Sequence, residues 1–269
     1  YYKGDLKDAV LNSLKNLKGS FALGVISRNE PDRIIAARKE SPLIIGIGEG
    51  ENFIASDVPA ILKYTKKVIY LEDGEIAVLT RNKVEVFDSE GTIRHKQIDV
   101  IKWNLDSAQK TGFAHFMLKE IHEQPKVLKQ IISSRIKADF EFNMEGINIS
   151  DSAIKNISNI IIIACGTAYH AGLVGKYILE KFTKIPVSID LSSEFRYRDP
   201  IVNKNTLTVA ISQSGETADT LAAVKEARKK GAIILSICNV VGSSLVRVSD
   251  GVLYTCAGPE IGVASTKAY

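Results

Sequence analysis

The chain has 269 residues, 45% of them hydrophobic and 25% charged, an ordinary composition for a soluble protein with room for two packed domains. Thirty-five basic residues against 31 acidic give a net charge of +4 without any Lys/Arg block, so neither nucleic acid nor a membrane surface is an expected partner. No apolar run approaches the roughly 20 residues that span a bilayer, and three cysteines without CxxC spacing, Cys165, Cys238 and Cys256, exclude a zinc ribbon and suit a reducing compartment, so a cytoplasmic location is expected.

The chain starts at Tyr1 without Met and reads as a piece of a longer protein. Tyr1 to Leu17 is a helix candidate, with Leu6, Val10, Leu11 and Leu14 in one apolar stripe. From Gly19 to about Trp103 the pattern is β-rich, with short strands at Phe21–Ile26, Arg33–Arg38 and Leu43–Ile47. Gly46 to Gly50 is rich in glycine, but Glu49 and Glu51 would repel phosphate, so a turn is expected; Asp57 then caps a short helix ahead of Val58-Pro59. Val68–Leu71 and Ile76–Leu79 flank Asp73-Gly74, a strong hairpin signal, and Lys83–Phe87 continues with clean alternation.

Thr111 to Arg135 reads as a long connector helix interrupted at Pro125, with Phe116, Leu118, Ile121 and Val127 apolar. His115 and His122 could share a face, but a metal needs more ligands, and Glu120 and Glu123 read as surface charge. A polar stretch from Lys137 to Ile154 marks a boundary. Beyond it strands and helices alternate: strand 159–164, a helix with Leu173, Tyr177 and Ile178 on one side, strand 186–190, a short helix near Ser192–Tyr197, strand 206–211, a helix, and strands 232–239 and 251–256. This is the pattern of a parallel α/β sheet. The helix after Thr217 turns Leu221, Val224 and Ala227 inward and stops at Gly231. Another helix is expected to begin after Gly262–Ser265.

Strand 206–211 runs into Ser212-Gln-Ser-Gly-Glu-Thr217, three hydroxyls in six residues at the start of a helix, which exceeds the needs of capping and suits an oxyanion beside the helix's free amides. Neither the Gly-x4-Gly-Lys-Ser/Thr pattern of nucleoside triphosphate sites nor the Gly-x-Gly-x2-Gly of dinucleotide sites is present, so a phosphorylated sugar or similar metabolite leads. The turn Cys165-Gly166-Thr167 after strand 159–164 is expected to face the same pocket. Cys165 has no His or acid to pair with in the sequence and reads as packing, not as a nucleophile.

Cys165-Gly-Thr167, Ser193–Tyr197, Ser212–Thr220, Gly242–Arg247 and Gly258–Lys267 together resemble the first sugar isomerase (SIS) domain of the glutamine–fructose-6-phosphate aminotransferase family. Ser41-Pro-Leu43, Gly50–Asp57 and His115–Pro125 are similar to the tail of that family's glutaminase domain and its interdomain helix. The resemblance implies an α/β fold: residues 156–269 a parallel, flavodoxin-like SIS sandwich without nucleotide, truncated at its C-terminus; 106–155 an interdomain helix and linker; 1–105 the β-rich C-terminal part of a type 2 glutamine amidotransferase (N-terminal nucleophile, Ntn) domain.

It also implies a parent enzyme that hydrolyses glutamine, channels the ammonia, and converts fructose 6-phosphate to glucosamine 6-phosphate with no metal or organic cofactor. By position, Ser212, Gln213, Ser214 and Thr217 would bind the sugar phosphate, with Thr167 and the backbone of Cys165 and Gly166 alongside, and Val263 and Ser265 lining the pocket. Ala168 stands where many members have Ser, leaving only its backbone to help. The family's nucleophilic cysteine would lie upstream and its Lys, Glu and His of sugar chemistry downstream, so no catalytic residue is assigned here and the chain alone is expected to be inactive. Dimerisation through SIS domains is a further implication. A sugar-phosphate-binding SIS regulator or an amino-sugar deaminase or deglycase would share the pocket, but neither explains the β-rich segment before Trp103.

Overall fold

The computed structural model describes residues 1–101, 110–136 and 140–269. The chain divides into two compact units, Tyr1–Ser107 and Ala108–Tyr269. Trp103, the expected boundary at 105/106 and Lys137 lie outside the described residues.

In the first unit, Asp5 caps helix α1 (Leu6–Leu14) by accepting the Asp8 amide at 2.9 Å. Strands β1 (Phe21–Ser27), β2 (Glu30–Lys39), β6 (Ile76–Thr80), β7 (Val84–Phe87) and β8 (Ile93–Arg94) form one antiparallel sheet in the order β1-β2-β6-β7-β8. A second antiparallel sheet has the order β4 (Asn52–Ala55), β3 (Ile44–Ile47), β5 (Lys67–Tyr70), β9 (Asp99–Val100).

Alternation along the strands sets the layers. Ile35, Ala37, Ile76 and Val78 face Leu6 and Val10 of α1, while Ala36, Ala77 and Leu79 on the opposite face meet Ile45 and Ile69 of the second sheet. The far side of that sheet, Ile44 and Val68, packs on helix α2 (Val58–Ile61), which Asp57 caps through the Ala60 amide as expected. The unit is therefore layered helix, sheet, sheet, helix. Of the glycine-rich stretch, Gly46 lies in β3, and Gly48–Glu51 is the hairpin turn between β3 and β4, closed by the Gly48 amide donating to the Glu51 carbonyl at 3.0 Å.

The expected β5–β6 hairpin does not form, because the two strands belong to different sheets. The Asp73-Gly74 turn is real, closed by the Glu75 amide donating to the Glu72 carbonyl at 3.1 Å, but it joins the sheets and is also fastened to β2. Arg38, 4% exposed, donates Nη1 to the Leu71 carbonyl at 2.9 Å and Nη2 to Asp73 Oδ1 at 3.3 Å, and the Gly74 amide returns a bond to the Arg38 carbonyl at 3.0 Å.

The second unit opens with α3 (Phe116–Arg135), which continues through Pro125 instead of breaking there. One lost amide is tolerated because burial of Lys119 and Glu120 before the proline and of Val127 after it holds both halves. The expected linker contributes α4 (Asp151–Lys155), capped by Ser150, and an antiparallel bridge from Ile147 to Gly251.

A fully parallel sheet follows in the order β11 (Val187–Leu191), β10 (Asn159–Ala164), β12 (Thr206–Ser212), β13 (Ile233–Cys238), β14 (Gly251–Tyr254). Helix α5 (Gly166–Thr183) covers one face. Helices α6 (Ser192–Phe195), α7 (Ala218–Lys229) and α8 (Ser244–Arg247) cover the other around Phe195, Leu221, Val224 and Leu245. The strand order reverses at β10, whose neighbours β11 and β12 lie on opposite sides. In such sheets the loops at the carboxyl ends diverge there and leave a crevice.

Helix α5 packs by a stripe other than the expected Leu173, Tyr177 and Ile178, since Tyr177 and Ile178 are exposed and Ala168 and Gly172 are buried. Small residues bring the helix axis close to the sheet: a Cβ on Gly172 would lie 2.7 Å from Ile189 Cδ1 and 3.0 Å from Ile162 Cγ2. Overpacking of this kind typically costs about 1–3 kcal/mol. Gly172→Ala is therefore expected to lower the midpoint of thermal unfolding even though alanine is the better helix former, and an unchanged or raised midpoint would contradict the packing described.

Candidate functional site

The register that sets Ala164 beside Ile211 brings the turns after β10 and β12 together. Cys165 leads into α5 and Thr217 into α7, and neither side chain caps its helix. The first amides of both helices are thus left to some other acceptor, at the positive end of each dipole. Instead of capping, the Thr217 hydroxyl pairs with Ser212 Oγ at 3.1 Å.

The turn is held by its own hydroxyls acting as acceptors. Ser212 Oγ takes the Gly215 amide and Ser214 Oγ the Glu216 amide, each at 3.1 Å. Accepting uses oxygen lone pairs and leaves the Ser214 proton, and one from the Ser212–Thr217 pair, to be donated. Gly215 sits at φ +67, and a Cβ there would lie 2.1 Å from Ser243 Oγ, so no other residue fits. The loop is also tied to its neighbours: the Asn239 amide donates to the Gln213 carbonyl, the Leu245 amide to the Gly215 carbonyl, and the Ser244 amide to Glu216 Oε1 at 2.8 Å.

These turns border a cavity of about 430 Å³ with three walls. Cys165, Gly166, Thr167 and Ala168 form one, and Ser212, Gln213, Ser214 and Thr217 the second. The third is the segment from Glu260 to Ser265, including Val263 and Ser265, with Tyr269 behind it. All ten residues singled out in the sequence thus line one space. The sequence reading missed Ile211, Glu260, Ile261, Gly262, Ala264 and Tyr269; Ile211 ends a strand it had quoted and the next four lie inside a motif it had quoted, whereas nothing in the sequence pointed to Tyr269.

Among the described residues that line the cavity there is no Lys or Arg. Glu260, the carboxylate among the described lining residues, has Oε2 occupied by the amides of Lys267 and Ala268, each at 2.9 Å. Burial, with Cys238 and Glu260 nearby, pushes the Tyr269 phenol well above its ordinary value, so it stays a neutral donor to the Ile237 carbonyl at 2.7 Å. Burial likewise raises the Cys238 thiol, which remains protonated near neutrality. The cavity therefore offers an oxyanion hydroxyls and amide dipoles in place of cations. The Cys165 thiol neighbours the Thr220 hydroxyl at 3.9 Å, not a base.

One reading from the sequence needs correction: Glu120 and Glu123 are not surface charge. The stretch from Ile261 to Tyr269 is irregular, and the amides of Ile261, Gly262, Lys267 and Ala268 are accepted by carboxylate side chains. The face of α3 carrying these acids turns toward that stretch. Glu120 is 2% exposed and accepts from the Ile261 and Gly262 amides and the Thr266 hydroxyl. Glu123 pairs with Lys267 Nζ at 2.6 Å and Lys119 Nζ at 3.3 Å. His122 stacks on Phe113 with ring centroids 5.5 Å apart.

Residues 153–269 match the SIS domain family model. This part of the chain has the SIS domain fold. Over its full length the chain is 55% identical to the glutamine–fructose-6-phosphate aminotransferase [isomerizing] of Clostridium tetani and 56% identical to that of Caldanaerobacter subterraneus. It spans 44% of the length of each of these curated relatives. The C-terminal domain of glucosamine-fructose-6-phosphate aminotransferase from Francisella tularensis superposes with a TM-score of 0.54 at 46% identity, over 60% of this chain and 44% of that one.

Glu123 makes the second unit sensitive to acid. Partial burial pushes its carboxyl up, but the hydrogen bond and charge of Lys267, with Lys119, outweigh this and leave it below the ordinary 4.5. A depressed carboxylate contributes stability that is present above its unfolded value and is lost as pH falls through the folded one. Stability should therefore decline below about pH 4.5, and Glu123→Gln should flatten that limb while lowering stability at pH 7; parallel acid limbs in chemical denaturation would refute the pairing.

Proposed function

We propose that the cavity binds a sugar phosphate, with fructose 6-phosphate and its aminated product glucosamine 6-phosphate as the ligands, and that the chain is part of an enzyme that makes glucosamine 6-phosphate and glutamate from fructose 6-phosphate and glutamine. The observation that carries this reading is the meeting of three separate segments around one cavity of neutral donors, at the strand-order reversal of a SIS domain. In this reading the phosphate sits against Ser212, Gln213, Ser214 and Thr217, taking spare hydroxyl protons and the first amides of α7, with Thr167 and the start of α5 alongside. Val263 and Ser265 face the sugar. The full-length relatives' names support the same substrates.

The first unit is then the C-terminal part of an Ntn glutaminase domain in the longer protein, where glutamine supplies nitrogen. Its helix, sheet, sheet, helix layering supports that assignment, and its relationship to the aminotransferases disfavours both a stand-alone SIS regulator and an amino-sugar deaminase or deglycase. A homodimer formed through SIS domains and a cytoplasmic location complete the proposal; no described helix is long and apolar enough to cross a membrane.

Calorimetric titration of the full chain with fructose 6-phosphate and glucosamine 6-phosphate, with inorganic phosphate as competitor, tests the reading. Hydrogen bonds to a charged group contribute about 1.5–3 kcal/mol each, so Ser212→Ala/Ser214→Ala should weaken binding about a hundredfold or more. Unchanged affinity in a folded double variant, or saturable binding that phosphate does not compete with, would place the ligand elsewhere.

A further inference from the structure

The third wall of the cavity is the least regular part of the SIS domain, and its shape is imposed from outside. Two successive amides, Ile261 and Gly262, donate to Glu120 Oε1 at 2.7 and 3.1 Å, and the Gly262 amide also reaches Oε2 at 3.1 Å. The Thr266 hydroxyl donates to the same Oε2, and one helical turn on, Gln124 Nε2 donates to the Thr266 carbonyl at 2.6 Å. A Cβ on Gly262 would lie 2.6 Å from Glu120 Oε2 and 3.4 Å from the Met117 Cα, so the carboxylate occupies the space a side chain would need. Hydrogen bonds to an ionised carboxylate are among the stronger ones, and together these fix the orientation of the 261–262 peptides and the position of residue 266.

Between those fixed points the chain holds conformations it would not otherwise keep. Ala264 has φ +70, a region that residues with a Cβ enter only at a cost. Ser265 lines the cavity with its hydroxyl buried and without a partner among the described residues. A buried hydroxyl left unpaired is costly, and one held at the edge of a cavity is available to a ligand. Glu120 itself does not line the cavity.

We propose that Glu120 is a positioning residue of the sugar-phosphate site: from α3 it sets the backbone of residues 261–266, and through it the placement of Val263 and Ser265 opposite the phosphate loop. This rests on the reading of the cavity given above. It predicts a split that general loss of structure would not produce, because the loop from Ser212 to Thr217 is tied to β13 and α8 and not to Glu120.

The test titrates the full chain, as wild type, Glu120→Gln and Thr266→Val, with fructose 6-phosphate and separately with inorganic phosphate, following thermal unfolding in parallel. Glu120→Gln sets an amide donor against the donors it should accept from. It should weaken fructose 6-phosphate about tenfold or more, the scale of a modest misplacement of a binding group, with phosphate affinity unchanged. Thr266→Val, which keeps the two backbone bonds, should shift the same ratio less, and it decides the matter if Glu120→Gln does not fold. Unchanged fructose 6-phosphate affinity, or equal weakening of both ligands, would overturn the proposal. A folded wild type that binds neither ligand would overturn the cavity reading, and this inference with it.

Discussion

A backbone amide that leaves a helix or sheet must find another acceptor or pay for its desolvation, and in this protein that requirement shapes the places that matter. The turn after β12 solves part of it with its own hydroxyls, Ser212 and Ser214 accepting the amides of Gly215 and Glu216. The 260–268 segment solves it with carboxylates, Glu120 on α3 and Glu260 within the segment itself. In the first unit, carbonyls at the crossing between sheets face the same problem as acceptors, and the Arg38 guanidinium answers it for Leu71.

The choice of solution also decides the electrostatics of the cavity. A site that binds an anion through Lys or Arg carries a charge that must itself be solvated or balanced when empty. Here the donors are neutral and already oriented, so little reorganisation accompanies the arrival of charge. The raised values of Tyr269 and Cys238 belong to the same picture, since burial keeps both groups protonated and uncharged.

Much of this was legible in the sequence. The β-branched runs at Asn159–Ala164 and Thr206–Ser212 could hardly be other than buried parallel strands, and the hydroxyl density after the second was a local signal of a site. What failed were properties that local pattern does not encode. Asp73-Gly74 specifies a turn but not the sheet that the outgoing strand joins, and that was settled by pairing with β2, more than thirty residues upstream. The buried stripe of α5 is made of Ala168 and Gly172, which carry almost no hydrophobic signal, so the bulkier Tyr177 and Ile178 drew attention to the exposed side. Glu120 was misread because a carboxylate on a helix is ordinarily solvated, and its partners lie 141 to 146 positions away.

The close seating of α5 through Gly172 fixes more than stability. With no side chain at Gly172, the helix sits against Ile162 and Ile189 with little room to slide or roll, and the turn at its start inherits that stiffness; the turn before α7 is likewise confined by Gly215 under Ser243. The third wall has no ladder of backbone bonds and hangs from a few side chains. Since segments held this way open at lower cost than strands or packed helices, the cavity is mechanically lopsided: two walls act as an anvil, and adjustment to the size of a guest falls to the remaining one.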